Sequence, residues 1–93
     1  MRIRFAHPPL KLSLKQEGKE LLTGATMAAS PLELRTEIEI SHDGNELMLE
    51  ATWPPGTPET AVTVLIEPEG FEGLSETRWS AEAQLNEVLT FLW

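Results

Sequence analysis

The sequence predicts an all-β fold, a small antiparallel β-sandwich. Three observations carry that prediction. Apolar and polar residues alternate with period two over much of the chain, as in Leu10-Lys11-Leu12-Ser13-Leu14-Lys15. Clusters of Gly, Pro, Asn and Asp interrupt the alternation about every ten residues. No interior stretch shows a convincing helical period. The 93 residues make one domain, 1–93, with no internal repeat and no linker long enough to divide it.

The first elements follow in order. Ile3 and Phe5 alternate with Arg2 and Arg4 in a short half-buried strand. His7-Pro8-Pro9 ends it, because proline cannot donate to a ladder and biases its predecessor to extended geometry. Leu10, Leu12 and Leu14 then form the apolar face of a second strand, and Lys11, Ser13 and Lys15 a basic one. Glu17-Gly18 reads as a two-residue turn that sets Leu14 opposite Leu21 and Leu10 opposite Ala25. The return segment through Ala29 is small and contains Gly.

After Ser30-Pro31, the residues Leu32, Leu34, Thr36, Ile38 and Ile40 form one face of a longer strand. Glu33, Arg35, Glu37 and Glu39 form the other. Beyond the tip Ser41-His42-Asp43-Gly44-Asn45, the inward set is Leu47, Leu49, Ala51 and Trp53, with Glu46, Met48, Glu50 and Thr52 opposite. Asp-Gly is a strong hairpin signal because both residues tolerate positive φ. With Asp43-Gly44 as the turn, Ile40 faces Leu47, Ile38 faces Leu49, Thr36 faces Ala51 and Leu34 faces Trp53. A three-residue loop would set inward against outward positions.

The same register sets Glu37 against Glu50, with Glu39 and Glu46 close by, and like charges directly opposite destabilise a sheet. Three things can offset that cost: solvation, a neighbouring strand carrying Arg2, Arg4, Lys11 or Lys15, or a basic partner protein or divalent cation.

Pro54-Pro55-Gly56 stops the strand. In TAVTVLI, residues 60–66, Val62, Val64 and Ile66 share a face, and Leu65 makes the other partly apolar, as suits a central strand. Residues 67–76 read as an exposed acidic loop. The C-terminal segment admits two readings. Ala81, Leu85, Val88, Leu89 and Leu92 fit a helical stripe over 80–92 with Ser80 as N-cap, which would make the fold α+β. Alternatively, Trp79, Ala81, Ala83 and Leu85, then Leu89, Phe91 and Trp93, lie on the inward face of extended chain. The β-branched and aromatic VLTFLW favours a closing strand over 87–93, the preferred reading.

Two antiparallel sheets built this way look like an immunoglobulin or fibronectin type III module. The resemblance is one of architecture alone, since the Cys…Trp…Cys pattern of true immunoglobulin domains is missing.

Composition narrows the function. The net charge is −8 and unevenly spread. Residues 1–22 hold five basic and two acidic residues, a net of +3; residues 23–93 hold two basic and thirteen acidic, a net of −11. Such a chain is repelled by a nucleic-acid backbone, and five dilute N-terminal cations make no binding stripe. No apolar stretch is long enough to span a membrane. The start MRIRFAHPPLKL has no signal-peptide pattern and there is no cysteine, so a cytoplasmic protein is expected.

No motif points to catalysis. Without cysteine there is no thiolate, no Ser sits in a Gly-x-Ser-x-Gly elbow, and no phosphate-binding glycine loop is present. Around His42, the Asp43-Gly44-Asn45 run does not continue into a calcium loop, and it lacks converging zinc ligands. No cofactor is implied. Trp53, Trp79 and Trp93 all fall at inward parity and read as core.

The expectation is therefore a non-enzymatic protein-interaction or structural module. It would bind a protein partner, or a second copy, through an edge strand or an acidic face made of Glu33, Glu37, Glu39, Glu46, Met48 and Glu50. The rival reading is a carbohydrate- or small-ligand-binding sandwich using exposed aromatics, and a distant third is a metal-dependent enzyme centred on His42.

Overall fold

The structure, a computed structural model, describes residues 1–22, 32, 33, 38, 40, 41 and 43–93. It is all-β, with two antiparallel sheets. The strands are β1 (Arg2–Phe5), β2 (Lys11–Gln16), β3 (Lys19–Glu20), β4 (Leu32–Glu33), β5 (Asn45–Thr52), β6 (Ala61–Ile66), β7 (Leu74–Trp79) and β8 (Gln84–Phe91). Sheet I runs β4-β1-β6-β7 and sheet II runs β3-β2-β5-β8. The described residues contain no helix, and so none long and apolar enough to cross a membrane.

Period-two alternation gives β1, β2, β5, β6 and β8 an apolar face each, and those faces meet between the sheets. Ile3, Phe5, Val62, Val64 and Ile66 come from sheet I, and Leu12, Leu14, Leu47, Leu49, Ala51, Leu85, Leu89 and Phe91 from sheet II. They form one buried core, the arrangement of a small β-sandwich. His7-Pro8-Pro9 carries the chain from sheet I to sheet II. Trp53 is buried beneath this link, and its Nε1 donates to the His7 carbonyl at 2.7 Å. The indole N–H, costly to bury unpaired, is thereby satisfied.

The Glu17-Gly18 turn forms as its sequence predicts. Both residues have positive φ, 49° and 80°, the geometry of a two-residue hairpin turn. Lys15 faces Glu20, Gln16 faces Lys19, and the Leu21 N–H donates to the Leu14 carbonyl at 2.8 Å. The expected pairing of Leu10 with Ala25 lies outside the described residues.

The long hairpin is not formed. β5 has β2 on one side and β8 on the other: Leu49 faces Leu14 and Glu87, and Glu50 faces Ser13 and Asn86. Leu32 and Glu33 instead pair with Ile3 and Arg2 in sheet I. The chain therefore crosses between the sheets ahead of β5. Alternation set the inward face correctly, but it does not choose which inward-facing strand lies alongside.

Asn45 holds this crossing. It is buried, its Oδ1 accepts from the Ser41 N–H at 2.7 Å, and its Nδ2 donates to the carbonyls of Ser41 at 2.8 Å and Phe91 at 3.2 Å. The side-chain amide thus pairs with Ser41 as a backbone amide would, and ties the corner to β8. Gly44, at φ 114°, completes the bend where a Cβ would come within 3.3 Å of Leu92.

The preferred reading of the C-terminal segment as a closing strand is met by β8 (Gln84–Phe91), while the bounds of a loop and the inward placement of Trp79 are corrected. The loop assigned to 67–76 is shorter, because Leu74 to Glu76 already belong to β7. The stripe over 80–92 is not helical: Glu82 and Ala83 turn at φ 52° and 61°, and β8 follows as a strand. That turn resets the alternation, so Trp79 does not share an inward face with Leu85. Trp79 is 63% exposed, Trp53 is buried, and Trp93 is half-buried and stacked on Phe91 with centroids 5.6 Å apart.

Replacing Asn45 by Ala leaves the Ser41 N–H and two carbonyls without their partner. The expected cost is about 1–3 kcal/mol, read as a lowered urea midpoint with unchanged slope. A midpoint equal to wild type would refute the corner's role.

Candidate functional site

The outer face of sheet II gathers most of the outward-pointing chemistry. β2 supplies Lys11, Ser13 and Lys15, β5 supplies Glu46, Met48, Glu50 and Thr52, and β8 supplies Gln84, Asn86, Val88 and Thr90. The register aligns them in rows: Lys15, Met48 and Val88; Ser13, Glu50 and Asn86; Lys11, Thr52 and Gln84. A shallow depression of about 590 Å³ lies over the last two rows, beside Leu10. Three apolar side chains stand in solvent here: Met48 at 39% exposure, Val88 at 41% and Leu10 at 64%.

The predicted acidic face is divided. Glu46, Met48 and Glu50 share this surface. Glu33 is on sheet I, where its carboxylate pairs with Arg2 Nε at 2.9 Å. Glu37 and Glu39 lie outside the described residues, as does His42. Glu50, set between Ser13 and Asn86, is diagonal to Lys11 and Lys15. A neighbouring strand thus supplies cations to the acidic one. Sequence reasoning saw the basic face of β2 but not its position beside β5, and so left Lys11, Ser13, Lys15, Gln84, Asn86 and Val88 out of the site.

Glu20 organises the β2 side. Its carboxylate accepts from the Ser13 hydroxyl at 2.6 Å and from the N–H groups of Leu14 at 3.0 Å and Leu22 at 3.4 Å. Leu14 would otherwise donate to a continuing β3; the carboxylate takes that place as the chain turns inward at Leu21 and Leu22, both buried. Burial pushes the Glu20 pKa up. The Ser13 hydroxyl, the two backbone N–H groups and the Lys15 charge together outweigh it and hold the pKa below its ordinary 4.5.

The free edges beside this face are guarded. Trp53 N–H donates to the Ala83 carbonyl at 2.9 Å, which by alternation turns the backbone groups of Asn86, Val88 and Thr90 away from β5. Arg78 covers part of that edge. Its Nη2 reaches the Val88 carbonyl at 3.4 Å, while Nη1 contacts the Thr77 carbonyl at 3.0 Å and Glu76 at 3.1 Å. Glu76 and Arg78 on β7, opposite Val64 and Val62, and Glu87 on β8, opposite Leu49, stand at inward-facing register positions. Inward charges on edge strands oppose the addition of another strand.

Among the described residues no group of three or more His, Asp or Glu is placed to hold a metal ion. The chain matches no protein-family model, and neither the curated proteins nor the solved structures gave a significant match.

A Glu20→Gln variant tests the β2 anchor. Because the folded pKa is depressed, the stabilisation is complete above the ordinary value and is lost as pH falls through the folded one. The variant should be less stable by about 1 kcal/mol at pH 7. The gap should close as pH falls below 4.5. A gap that is constant from pH 7 to pH 3 would contradict this role.

Proposed function

We propose that this chain is a non-enzymatic protein-interaction module that takes its partner on the outer face of sheet II. The supporting observation is the exposed apolar pair Met48 and Val88, adjacent in register and bordered by Lys15, Glu46 and Glu50. An apolar centre inside a charged, mixed-sign rim is the composition of a protein contact surface. The guarded edges disfavour recruitment by strand addition and leave the face as the accessible surface. The likeness to immunoglobulin and fibronectin type III modules fits at the level of two packed antiparallel sheets. The pairing of β1 with β6 and β2 with β5 gives this chain its own strand order.

A second reading rests on Trp79. It projects from the outer face of sheet I one row from Thr77, whose hydroxyl lies 2.8 Å from that of Thr63. An exposed indole beside hydroxyls is a surface on which a sugar ring can stack.

Photo-crosslinking separates the two. A benzophenone amino acid replacing Asn86 should capture protein in extracts of the producing cells, and the same group at Thr77 should not. Met48→Asp should abolish the capture while leaving stability within about 0.5 kcal/mol. Absence of protein capture from position 86, together with quenching of Trp79 fluorescence by oligosaccharides, would reverse the assignment.

A further inference from the structure

We infer that the partner for which this face is built is a second copy of the same chain, an inference that rests on the reading of the face given above. Charge on the face is arranged by strand. β2 carries Lys11 and Lys15, β5 carries Glu46 and Glu50, the outward residues of β8 are uncharged, and the short β3 adds Glu20 opposite Lys15. Among the described residues none of Lys11, Lys15, Glu46 and Glu50 forms an ion pair within 4.0 Å. The face therefore presents a basic strand beside an acidic one, with Lys15 already drawn toward Glu20 of β3 and Lys11, Glu46 and Glu50 in no ion pair among the described residues.

A surface that holds its own complement suits two-fold pairing, in which the same patch serves both copies. In the order β3-β2-β5-β8 the midline of sheet II falls between β2 and β5. A two-fold axis along that midline, in the plane of contact, lays β2 of each copy on β5 of the other and overlaps the sheets fully. The rows are preserved by this operation. Lys15 comes over Met48, Ser13 over Glu50 and Lys11 over Thr52, so each Glu50 sits between two lysines. The two Met48 side chains meet beside the axis. An axis along β5 itself would instead set Glu50 on Glu50.

The net charge of −8 opposes association. At physiological salt, however, charges more than about 8 Å apart are largely screened, so the pattern on the face decides. The four strands hold two, six, eight and eight residues, and at about 4.8 Å by 3.3 Å for each they make a contact of roughly 380 Å² per copy. That is below the standard interface size, so the dimer is weak and reversible.

The test is a charge exchange followed by sedimentation equilibrium. Wild-type protein should pass from monomer to dimer with rising concentration below about 1 mM. Lys11→Glu with Lys15→Glu, and separately Glu46→Lys with Glu50→Lys, should each give monomers. An equimolar mixture of the two variants should restore the dimer, because each basic strand then meets an acidic one. Should either exchange unfold the chain by circular dichroism, Lys11→Gln with Lys15→Gln serves in its place and should weaken the wild-type dimer about fivefold or more. A wild type that stays monomeric throughout, a mixture that does not associate, or a Gln variant that dimerises like wild type would each overturn the inference. Capture of a different protein from position 86 would remove the second copy as partner while leaving the interaction reading intact; capture of nothing would remove both.

Discussion

With β2 along one side and β8 along the other, β5 has its ladder filled on both edges, and the rest of the molecule is arranged around that fact. Its inward residues Leu47, Leu49 and Ala51 supply the middle of sheet II's contribution to the core. Its occupied edges leave no room for the chain that precedes it, and Leu32 and Glu33 pair in sheet I instead. At the start of β5 the buried Asn45 pairs its side-chain amide with Ser41, as a backbone amide would in a turn. The outward residues of β5 are likewise fixed, between a basic strand and an uncharged one.

Local features of the fold were legible in the sequence, and the choice of strand neighbours was not. Glu17-Gly18 could be read because a two-residue turn fixes its own register within a few positions. The strand character of β8 could be read from VLTFLW, although a helical stripe competed for the same residues. The partner of β5 could not. Leu14 and Ile38 both have inward parity, and period-two alternation specifies a face without specifying which strand lies beside it. β7 was missed for another reason. Its inward positions include Glu76 and Arg78, so its alternation reads as polar throughout and resembles a loop.

The candidate surface was half legible for the same reasons. Glu46, Met48 and Glu50 follow from parity along one strand. Glu33 has the same parity as its neighbours but lies in the other sheet, bound to Arg2. The lysines of β2 and the uncharged row of β8 belong to the surface only because of the sheet order, a long-range property. The like charge expected opposite Glu50 is not there, because both edges of β5 are taken and Glu50 faces Ser13 and Asn86, with Lys11 and Lys15 diagonal to it. Arg78 covers part of the β8 edge through the Val88 carbonyl.

The position of β5 beside β2 is open to a direct chemical measurement, because the chain has no cysteine of its own. Lys15 and Met48 face each other across the two strands. Directly paired residues are about 5.5 Å apart at Cα, within disulfide range. A Lys15→Cys, Met48→Cys double variant should close an intramolecular disulfide under mild oxidation, detected by mass and by faster migration on non-reducing gels. A Glu39→Cys, Met48→Cys variant, which would close only if 32–40 and 46–53 formed a hairpin, should stay reduced. Rapid closure of the second pair and failure of the first would contradict the sheet order and the surface built on it.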